Sequence, residues 1–277
     1  MLTERNGNKM ANKKVAFCTL GCKVNQYETN AMMQEFLKRD YKIVEFDEKA
    51  DIYIVNTCTV TNMADRKSRQ MLRRVKELNP NSILVACGCY AQVAKEELSN
   101  IPEIDLILGN NEKNNIVQYI ENKMNEDNNS HKDYITDVLH SEEYSEWGDV
   151  DFTEKTRAVI KVQDGCDRFC SYCIIPYARG HIRSRKPEHV VSEIEKISKN
   201  GIKEVVITGI HLASYGRDFK LDEVENMQKT KKQYGLINLL EEINKIDGIE
   251  RIRLRIIRTN FNYRRICKST CKIRKNM

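Results

Sequence analysis

The regular alternation of short apolar segments with amphipathic segments constrains the fold of this 277-residue chain more than any other feature. The apolar stretches KVAFCTLG, ADIYIVNTC and SILVACGCY are each followed by a polar stretch with apolar residues at helical spacing, and IDLILGNN with NIVQYIENKM continues the pattern. Strands that alternate with helices favour a parallel sheet covered on both faces. We therefore predict an α/β fold that begins with a doubly wound parallel-sheet domain over residues 13–125.

A polar segment interrupts this alternation. Residues 126–155 are rich in Asn, Asp, Glu and Ser, and this composition predicts a linker between two domains. The pattern resumes over residues 156–254 with RAVIKVQDGC, PEHVVSEIEKISKNG, EVVITGI, YGLINLLEEINKIDGI and RIRL. These segments predict a second α/β domain, and residues 1–12 are predicted to be a disordered N-terminus.

The composition bears on the compartment of the protein. No apolar run approaches the roughly 18 residues that a membrane-spanning helix needs, and the polar N-terminus lacks the apolar core of a secretory signal. We therefore expect a cytoplasmic protein. In that reducing environment, the ten cysteines are expected to be metal ligands or reactive thiols rather than disulfides.

The net charge of +6 carries no information about a nucleic-acid partner. Residues 255–277 hold eight Lys or Arg and no acidic residue, and the rest of the chain has 38 basic and 40 acidic residues. The basic stretch ADRKSRQMLRRVKELN could meet an RNA backbone, but charge runs on a helix more often face water.

The segment DGCDRFCSYC spaces Cys166, Cys170 and Cys173 as C-x3-C-x2-C, directly after a predicted strand. Three thiolates can bind three irons of a cubane 4Fe-4S cluster and leave the fourth iron open for another ligand. This constellation resembles that of radical S-adenosylmethionine (SAM) enzymes. The alternatives are three buried thiols, or a zinc site without its fourth ligand, for which His181 is the nearby candidate.

Three further cysteines, Cys22, Cys58 and Cys89, each follow a predicted strand. Because parallel strands bring such loops to one sheet edge, these residues can converge as a second three-thiolate site. The alternative is that they are separate small buried residues. Cys18 and Cys87 lie inside strand patterns and are predicted to be buried apolar residues.

Several segments together carry a specific resemblance: GCKVNQYE, NTCTVTNMADRKSRQ, GCYAQ, DGCDRFCSYCIIPYARG with RSR, and TGIHLASYG. Over roughly residues 13–254 the chain resembles the tRNA methylthiotransferases, and within them the branch that modifies N6-threonylcarbamoyladenosine. The isopentenyladenosine and ribosomal-protein branches share the cluster motifs and remain alternatives, as does a non-catalytic iron-sulfur or zinc-binding fragment.

The resemblance implies two 4Fe-4S clusters and SAM as cofactors. An auxiliary cluster is expected on Cys22, Cys58 and Cys89, and a radical SAM cluster on the cysteines of DGCDRFCSYC. The implied reaction places a methylthio group on C2 of the modified adenosine at tRNA position 37, next to the anticodon. The implied partners are the tRNA anticodon loop and a reduced flavodoxin or ferredoxin-type electron donor.

Further site residues are expected from the same resemblance. Thr208 and Gly209, at the end of EVVITGI, are expected to contact the methionine part of SAM, although an ordinary strand-end turn is an equal alternative. Arg179, Arg183 and Arg185 could contact a cofactor carboxylate or an RNA phosphate, or belong to a solvated basic loop.

The C-terminal tail, residues 255–277, has neither helical period nor strand alternation. Back-translation with permitted, mostly A/T-rich codons and a shift of one nucleotide gives ESLEPILITEEFVKALVKLEKI, which has the pattern of an acidic amphipathic helix. We therefore predict an out-of-frame tail after a truncated radical SAM domain, which would be an incomplete (β/α) partial barrel. Cys267 and Cys271 are then not metal ligands, and the chain as written is expected not to turn over.

Overall fold

A computed structural model describes residues 12–125, 132–141, 143–147, 150, 156–220 and 233–255. The described residues form two compact units: one from residues 1–140 and 170–179, the other from residues 141–169 and 180–277. The predicted disordered N-terminus lies outside the described residues apart from Asn12, and the predicted out-of-frame tail lies outside them apart from Arg255.

The first unit is built on a six-stranded sheet in which every pair of neighbouring strands is parallel. The strand order is β2-β1-β3-β4-β5-β6, so the chain reverses its direction of travel across the sheet at β1. A parallel sheet with such a switch point is doubly wound, which confirms the predicted class. The strands are β1 (Lys14–Thr19), β2 (Lys42–Val44), β3 (Ile52–Thr57), β4 (Ile83–Gly88), β5 (Leu106–Leu108) and β6 (Lys132–Tyr134).

The strands at the middle of this sheet are apolar on both faces because helices cover both. Every residue of β3 and β5 is buried. The helices of the unit are α1 (Lys23–Leu37), α2 (Asn62–Leu78), α3 (Cys89–Val93), α4 (Lys95–Ser99), α5 (Ile116–Asn125) and α6 (Ile175–Arg179), with 3-10 turns at Glu112–Asn115 and Val138–His140. Helix α2 begins where the Thr61 hydroxyl accepts a hydrogen bond from the backbone N–H of Ala64 at 3.2 Å.

The segment predicted as a linker differs from expectation in one respect. Its residues Lys132–Tyr134 form β6 and pair with β5 at the edge of the first sheet. Edge pairing is made by backbone groups, so a short polar segment can supply it without the apolar alternation that marks a strand in sequence. The Tyr134 ring packs on Tyr119 of α5, with the ring centroids 4.3 Å apart.

The second unit is a four-stranded sheet in the order β10-β9-β7-β8. Strands β7, β9 and β10 are parallel and β8 is antiparallel to β7. The elements are β7 (Ala158–Asp164), β8 (Arg183–Ser184), α7 (Pro187–Lys199), β9 (Glu204–Gly209), a 3-10 turn at Leu212–Ser214, α8 (Leu236–Ile243) and β10 (Arg251–Leu254). The described residues thus contain two strand-helix units and the strand of a third, as the sequence predicts for a partial barrel.

Among the described residues, no helix is long and apolar enough to cross a lipid bilayer.

Candidate metal centre

Three cysteines of the first unit stand at the carboxyl ends of adjacent parallel strands. Cys22 lies in the turn between β1 and α1, Cys58 directly follows β3, and Cys89 is the first residue of α3 after β4. Because β1, β3 and β4 are neighbours in the sheet, their carboxyl ends meet at one edge. The thiols are partly or fully shielded from water: Cys58 and Cys89 are buried, and Cys22 is half-buried.

The three thiols are close enough to interact electrostatically. Burial raises the pKa of the Cys58 thiol above its ordinary value, a hydrogen bond from the backbone of Val60 lowers it, and the nearby Cys89 and Cys22 raise it further. The same pKa is lowered in part by the cationic Arg179. The three cysteines thus lie at one sheet edge, and a shared three-thiolate site there stays a prediction.

Buried polar side chains hold the three loops in place. The Asn25 side chain of α1 donates hydrogen bonds to the carbonyl oxygens of Leu20 at 2.8 Å and Thr57 at 3.0 Å, which ties the loops after β1 and β3 together. The Thr57 hydroxyl donates to the Cys87 carbonyl at 2.6 Å and accepts from the backbone N–H of Ala91 at 3.2 Å. These bonds fix the backbone on either side of Cys58 and Cys89.

Gly88, the residue before Cys89, adopts φ 99° and ψ −166°, a region that is essentially restricted to glycine. A Cβ atom at this position would stand 2.5 Å from the Thr57 carbonyl oxygen. We expect Gly88→Ala to lower the free energy of unfolding by about 3 kcal/mol. The loss would be measured as a lower urea midpoint when unfolding is followed by far-ultraviolet circular dichroism. Gly201 is the control, because it has φ +84° but nothing within 4 Å of an added Cβ.

For Gly201→Ala we expect only the strain of the left-handed backbone, about 1 kcal/mol. Equal urea midpoints for the two variants would contradict the close contact at Gly88.

Arg179, at the end of α6, approaches the same sheet edge with a fully buried side chain. Its Nε donates a hydrogen bond to Cys89 Sγ at 3.2 Å, and one Nη donates to the Glu28 carboxylate at 3.1 Å. The solvated-loop alternative for Arg179 is wrong because the guanidinium is enclosed. Contact with a cofactor carboxylate or an RNA phosphate stays a prediction. Sequence patterns gave no signal for the contact between Arg179 and Cys89, which joins residues 90 positions apart.

The other two arginines of this segment are also buried, so the solvated-loop alternative is wrong for them as well. Arg185 Nε donates to the Glu146 carboxylate at 2.8 Å, and Arg185 is also paired with Glu193. Arg183 is 4.0 Å from Asp164. In contrast, Arg66 and Lys67 of α2 are exposed, and an RNA contact for that helix stays a prediction.

The three cysteines of the C-x3-C-x2-C motif lie in the loop that follows β7, and all are half-buried. The backbone N–H of Cys166 donates to the Gly180 carbonyl at 3.0 Å, and that of Cys173 donates to the Cys170 carbonyl at 2.9 Å. Tyr172 is 81% exposed. The predicted zinc alternative requires His181, whose Nδ1 lies 2.7 Å from the Asp167 carboxylate.

The sequence matches two known families in tandem. Uncharacterized protein family UPF0004 matches residues 14–109, and the Radical SAM superfamily matches residues 160–274. The chain is 41% identical over 241 residues, 87% of its length, to the threonylcarbamoyladenosine tRNA methylthiotransferase MtaB of Aquifex aeolicus. Over this length the chain resembles the radical SAM methylthiotransferases. It is also 38% identical over 248 residues, 88% of its length, to the ribosomal protein uS12 methylthiotransferase RimO of Desulfitobacterium hafniense.

A solved radical SAM enzyme supports the fold at low sequence identity. The methyltransferase TsrM from Kitasatospora setae, with tryptophan and a SAM analogue bound, superposes with a TM-score of 0.51 at 14% identity, covering 84% of this chain and 51% of that one. The chain spans about half the length of the relatives it matches, 55% of the Aquifex protein and 52% of the Desulfitobacterium protein. The Radical SAM match continues into the segment predicted to be out of frame, whose origin stays a prediction.

The predicted ligand sets also stay predictions. Within the part of the chain that the structure describes, no three His, Cys, Asp or Glu side chains are placed to hold one metal ion. A 4Fe-4S cluster poses a different demand, because each thiolate binds a separate iron of the cube. The donor chemistry at this sheet edge fits such a cluster, because three cysteines follow adjacent strands there and a buried guanidinium and a buried amide stand beside Cys89.

The residues predicted to contact SAM lie where the sequence placed them. Thr208 and Gly209 end β9, and Thr208 is buried. A Cβ on Gly209 would stand 2.9 Å from Cβ of Gln163, whose side-chain oxygen accepts a hydrogen bond from the backbone N–H of His211 at 2.7 Å. This packing explains why a glycine ends the strand, and contact with SAM stays a prediction.

Proposed function

We propose that this protein is a tRNA methylthiotransferase that acts on C2 of N6-threonylcarbamoyladenosine beside the anticodon. The observation that carries the proposal is the position of Cys22, Cys58 and Cys89 at the carboxyl ends of three adjacent strands, in a chain that also has the radical SAM motif. A radical SAM enzyme needs one three-cysteine cluster to cleave SAM. A second such site points to an additional task, for which sulfur transfer is the family's known chemistry.

Six cysteines are the proposed ligands of two 4Fe-4S clusters. Cys22, Cys58 and Cys89 would hold the auxiliary cluster, and Cys166, Cys170 and Cys173 would hold the radical SAM cluster with SAM on its open iron. When bound, these cofactors supply reductive cleavage of SAM and the sulfur for the methylthio group.

The residues of the chain orient and shield the proposed auxiliary cluster. The buried positions of Cys58 and Cys89 keep water away from two of the three thiolates. Asn25 and Thr57 fix the loops that carry them, so the three sulfurs are presented from a rigid sheet edge rather than from mobile loops. At the end of β9, the backbone of Thr208 and Gly209 is proposed to receive the methionine part of SAM.

The proposed substrate branch rests on similarity. The Aquifex relative is named for threonylcarbamoyladenosine tRNA, and the motif TLGCKVNQYE around Cys22 resembles that branch. We propose the tRNA anticodon loop as the macromolecular partner, a reduced flavodoxin or ferredoxin-type protein as the electron donor, and the cytoplasm as the compartment. An isopentenyladenosine tRNA or the ribosomal protein uS12 would be the substrate of the other branches.

The proposal is tested by nucleoside analysis in a bacterial host that lacks its own methylthiotransferases. The full chain is expressed, the tRNA is digested, and its nucleosides are identified by mass spectrometry. If the chain turns over despite the predicted out-of-frame tail, 2-methylthio-N6-threonylcarbamoyladenosine appears with the wild-type chain and is absent with Cys58→Ala. The host strain that expresses Cys87→Ala is the control, because Cys87 is buried inside β4 and is not a proposed ligand.

Other products would indicate a different substrate or an absence of turnover. Methylthiolated isopentenyladenosine, or a methylthio group on uS12, would replace the substrate while keeping the reaction. A chain that holds iron and sulfide but yields no methylthiolated product would fit the predicted out-of-frame tail and would leave this polypeptide as an iron-sulfur protein without turnover.

A further inference from the structure

Arg179 makes an unusual set of bonds for a side chain with no solvent exposure. Its Nε donates to Cys89 Sγ at 3.2 Å, its two Nη groups contact the Glu28 carboxylate, and one of them also donates to the side-chain oxygen of Asn25. The guanidinium is therefore held by a carboxylate and an amide through its Nη groups and directs its Nε–H at a sulfur. All of these residues belong to the first unit.

A second buried cation joins this bonded set. Lys113, also fully buried, donates from Nζ to the same Glu28 carboxylate at 2.7 Å. Two cations thus share one carboxylate away from water. A buried positive charge is costly unless anions stand beside it.

The atom that Arg179 Nε contacts is the sulfur of Cys89. A neutral thiol is a weak hydrogen-bond acceptor, whereas a thiolate is an anion that pairs well with a guanidinium. A cysteine-ligated iron-sulfur cluster is likewise rich in negative charge. The buried cation is therefore matched to the ligated form of Cys89 rather than to its free thiol.

We propose that Arg179 is a positioning residue for the auxiliary cluster, and this inference rests on the proposed function. Its Nε–H fixes the Cys89 sulfur, and its charge offsets the negative charge of the cluster. Hydrogen bonds to cluster sulfurs and nearby positive charge stabilise the reduced state, so Arg179 raises the reduction potential of this cluster.

A buried asparagine side chain holds the backbone next to Arg179 in place. The Asn110 side chain donates to the carbonyl of Ala178 at 2.6 Å, and its nitrogen lies 3.9 Å from Cys89 Sγ. Asn110 is itself buried, and its backbone N–H donates to the Gln92 side chain at 2.9 Å. Helix α6 is too short to hold an arginine by its own hydrogen bonds, so this anchor sets where the guanidinium stands.

The test uses the full chain with Cys166, Cys170 and Cys173 replaced by alanine. The measured iron and the redox signal then come from the auxiliary cluster alone. In that background Arg179→Gln is compared with Lys113→Gln. Both substitutions remove one positive charge from the same bonded set, but only the first removes the N–H that contacts Cys89. After anaerobic reconstitution, two quantities are measured: the iron content per chain, and the midpoint potential of the cluster. Electron paramagnetic resonance monitors the redox titration.

We expect Arg179→Gln to shift the midpoint potential to a more negative value than Lys113→Gln does, with a lower iron content. Equal potentials and iron contents in the two variants would overturn the inference. If the background chain with Arg179 intact binds no iron, the proposed function fails instead, so the two failures are distinguishable.

A folding defect does not remove the test. Should Arg179→Gln lose its far-ultraviolet circular dichroism signal, Arg179→Lys takes its place, because it keeps the charge and lacks the Nε–H. We then expect a potential below that of the unchanged background, and a potential equal to it would overturn the inference.

Discussion

Replacing Cys22, Cys58 and Cys89 together with alanine is expected to halve the iron content of the anaerobically reconstituted chain, from about eight to about four atoms per chain. Cys22, Cys58 and Cys89 follow β1, β3 and β4, which are neighbours in the sheet, so the three residues lie at one sheet edge. Each thiolate binds a separate iron, so loss of all three leaves nothing to hold that cube. Iron and acid-labile sulfide are measured per chain.

The control for this prediction is the double variant Cys18→Ala and Cys87→Ala. Burial raises the pKa of the Cys18 thiol to about 11 and that of Cys87 to about 12, so neither is a thiolate near neutral pH. Cys18 lies within β1 and Cys87 within β4, rather than in the loops beyond them. We expect the control to keep about eight irons. Equal iron loss in both variants would remove the auxiliary cluster from the proposal.

The parallel sheet could be predicted because its strands are long apolar runs with helical segments between them. Every residue of β3 is buried, and the first four residues of its sequence IYIVNT are the apolar run that predicts a buried strand. Strand β6 could not be predicted in the same way, since its three residues are Lys, Asp and Tyr and its place in the sheet depends on backbone pairing with β5. Short edge strands carry little periodic signal.

The residues of the candidate site also differ in how far the sequence could predict them. The cysteines could be predicted because their chemistry is rare and their positions after strands bring them to one edge. The role of Arg179 could not, because its contacts join residues 90, 151 and 154 positions away. A basic residue in a loop sequence predicts exposure, and only the fold shows that Glu28 and Asn25 enclose this one.

Glu28→Gln is expected to destabilise the first unit by about 3–5 kcal/mol, the usual cost of removing one partner from a buried ion pair. The Glu28 side chain is 2% exposed and pairs with Arg179 and Lys113, both 0% exposed. A neutral amide would leave two cations close together in a site without water. The loss is measured as a lower free energy of unfolding in urea, followed by far-ultraviolet circular dichroism.

Glu35→Gln on the same helix is the matched control for Glu28→Gln. Glu35 pairs with Lys38 at 2.7 Å at the surface, where the two side chains are 30% and 51% exposed. Water and salt screen such a pair, so its removal is expected to cost less than about 1 kcal/mol. Both substitutions exchange one carboxylate of α1 for an amide, and they differ in burial. Similar losses for the two variants would mean that the Arg179–Glu28–Lys113 set is not closed to water, and would also weaken the case for Arg179 as a determinant of the cluster potential.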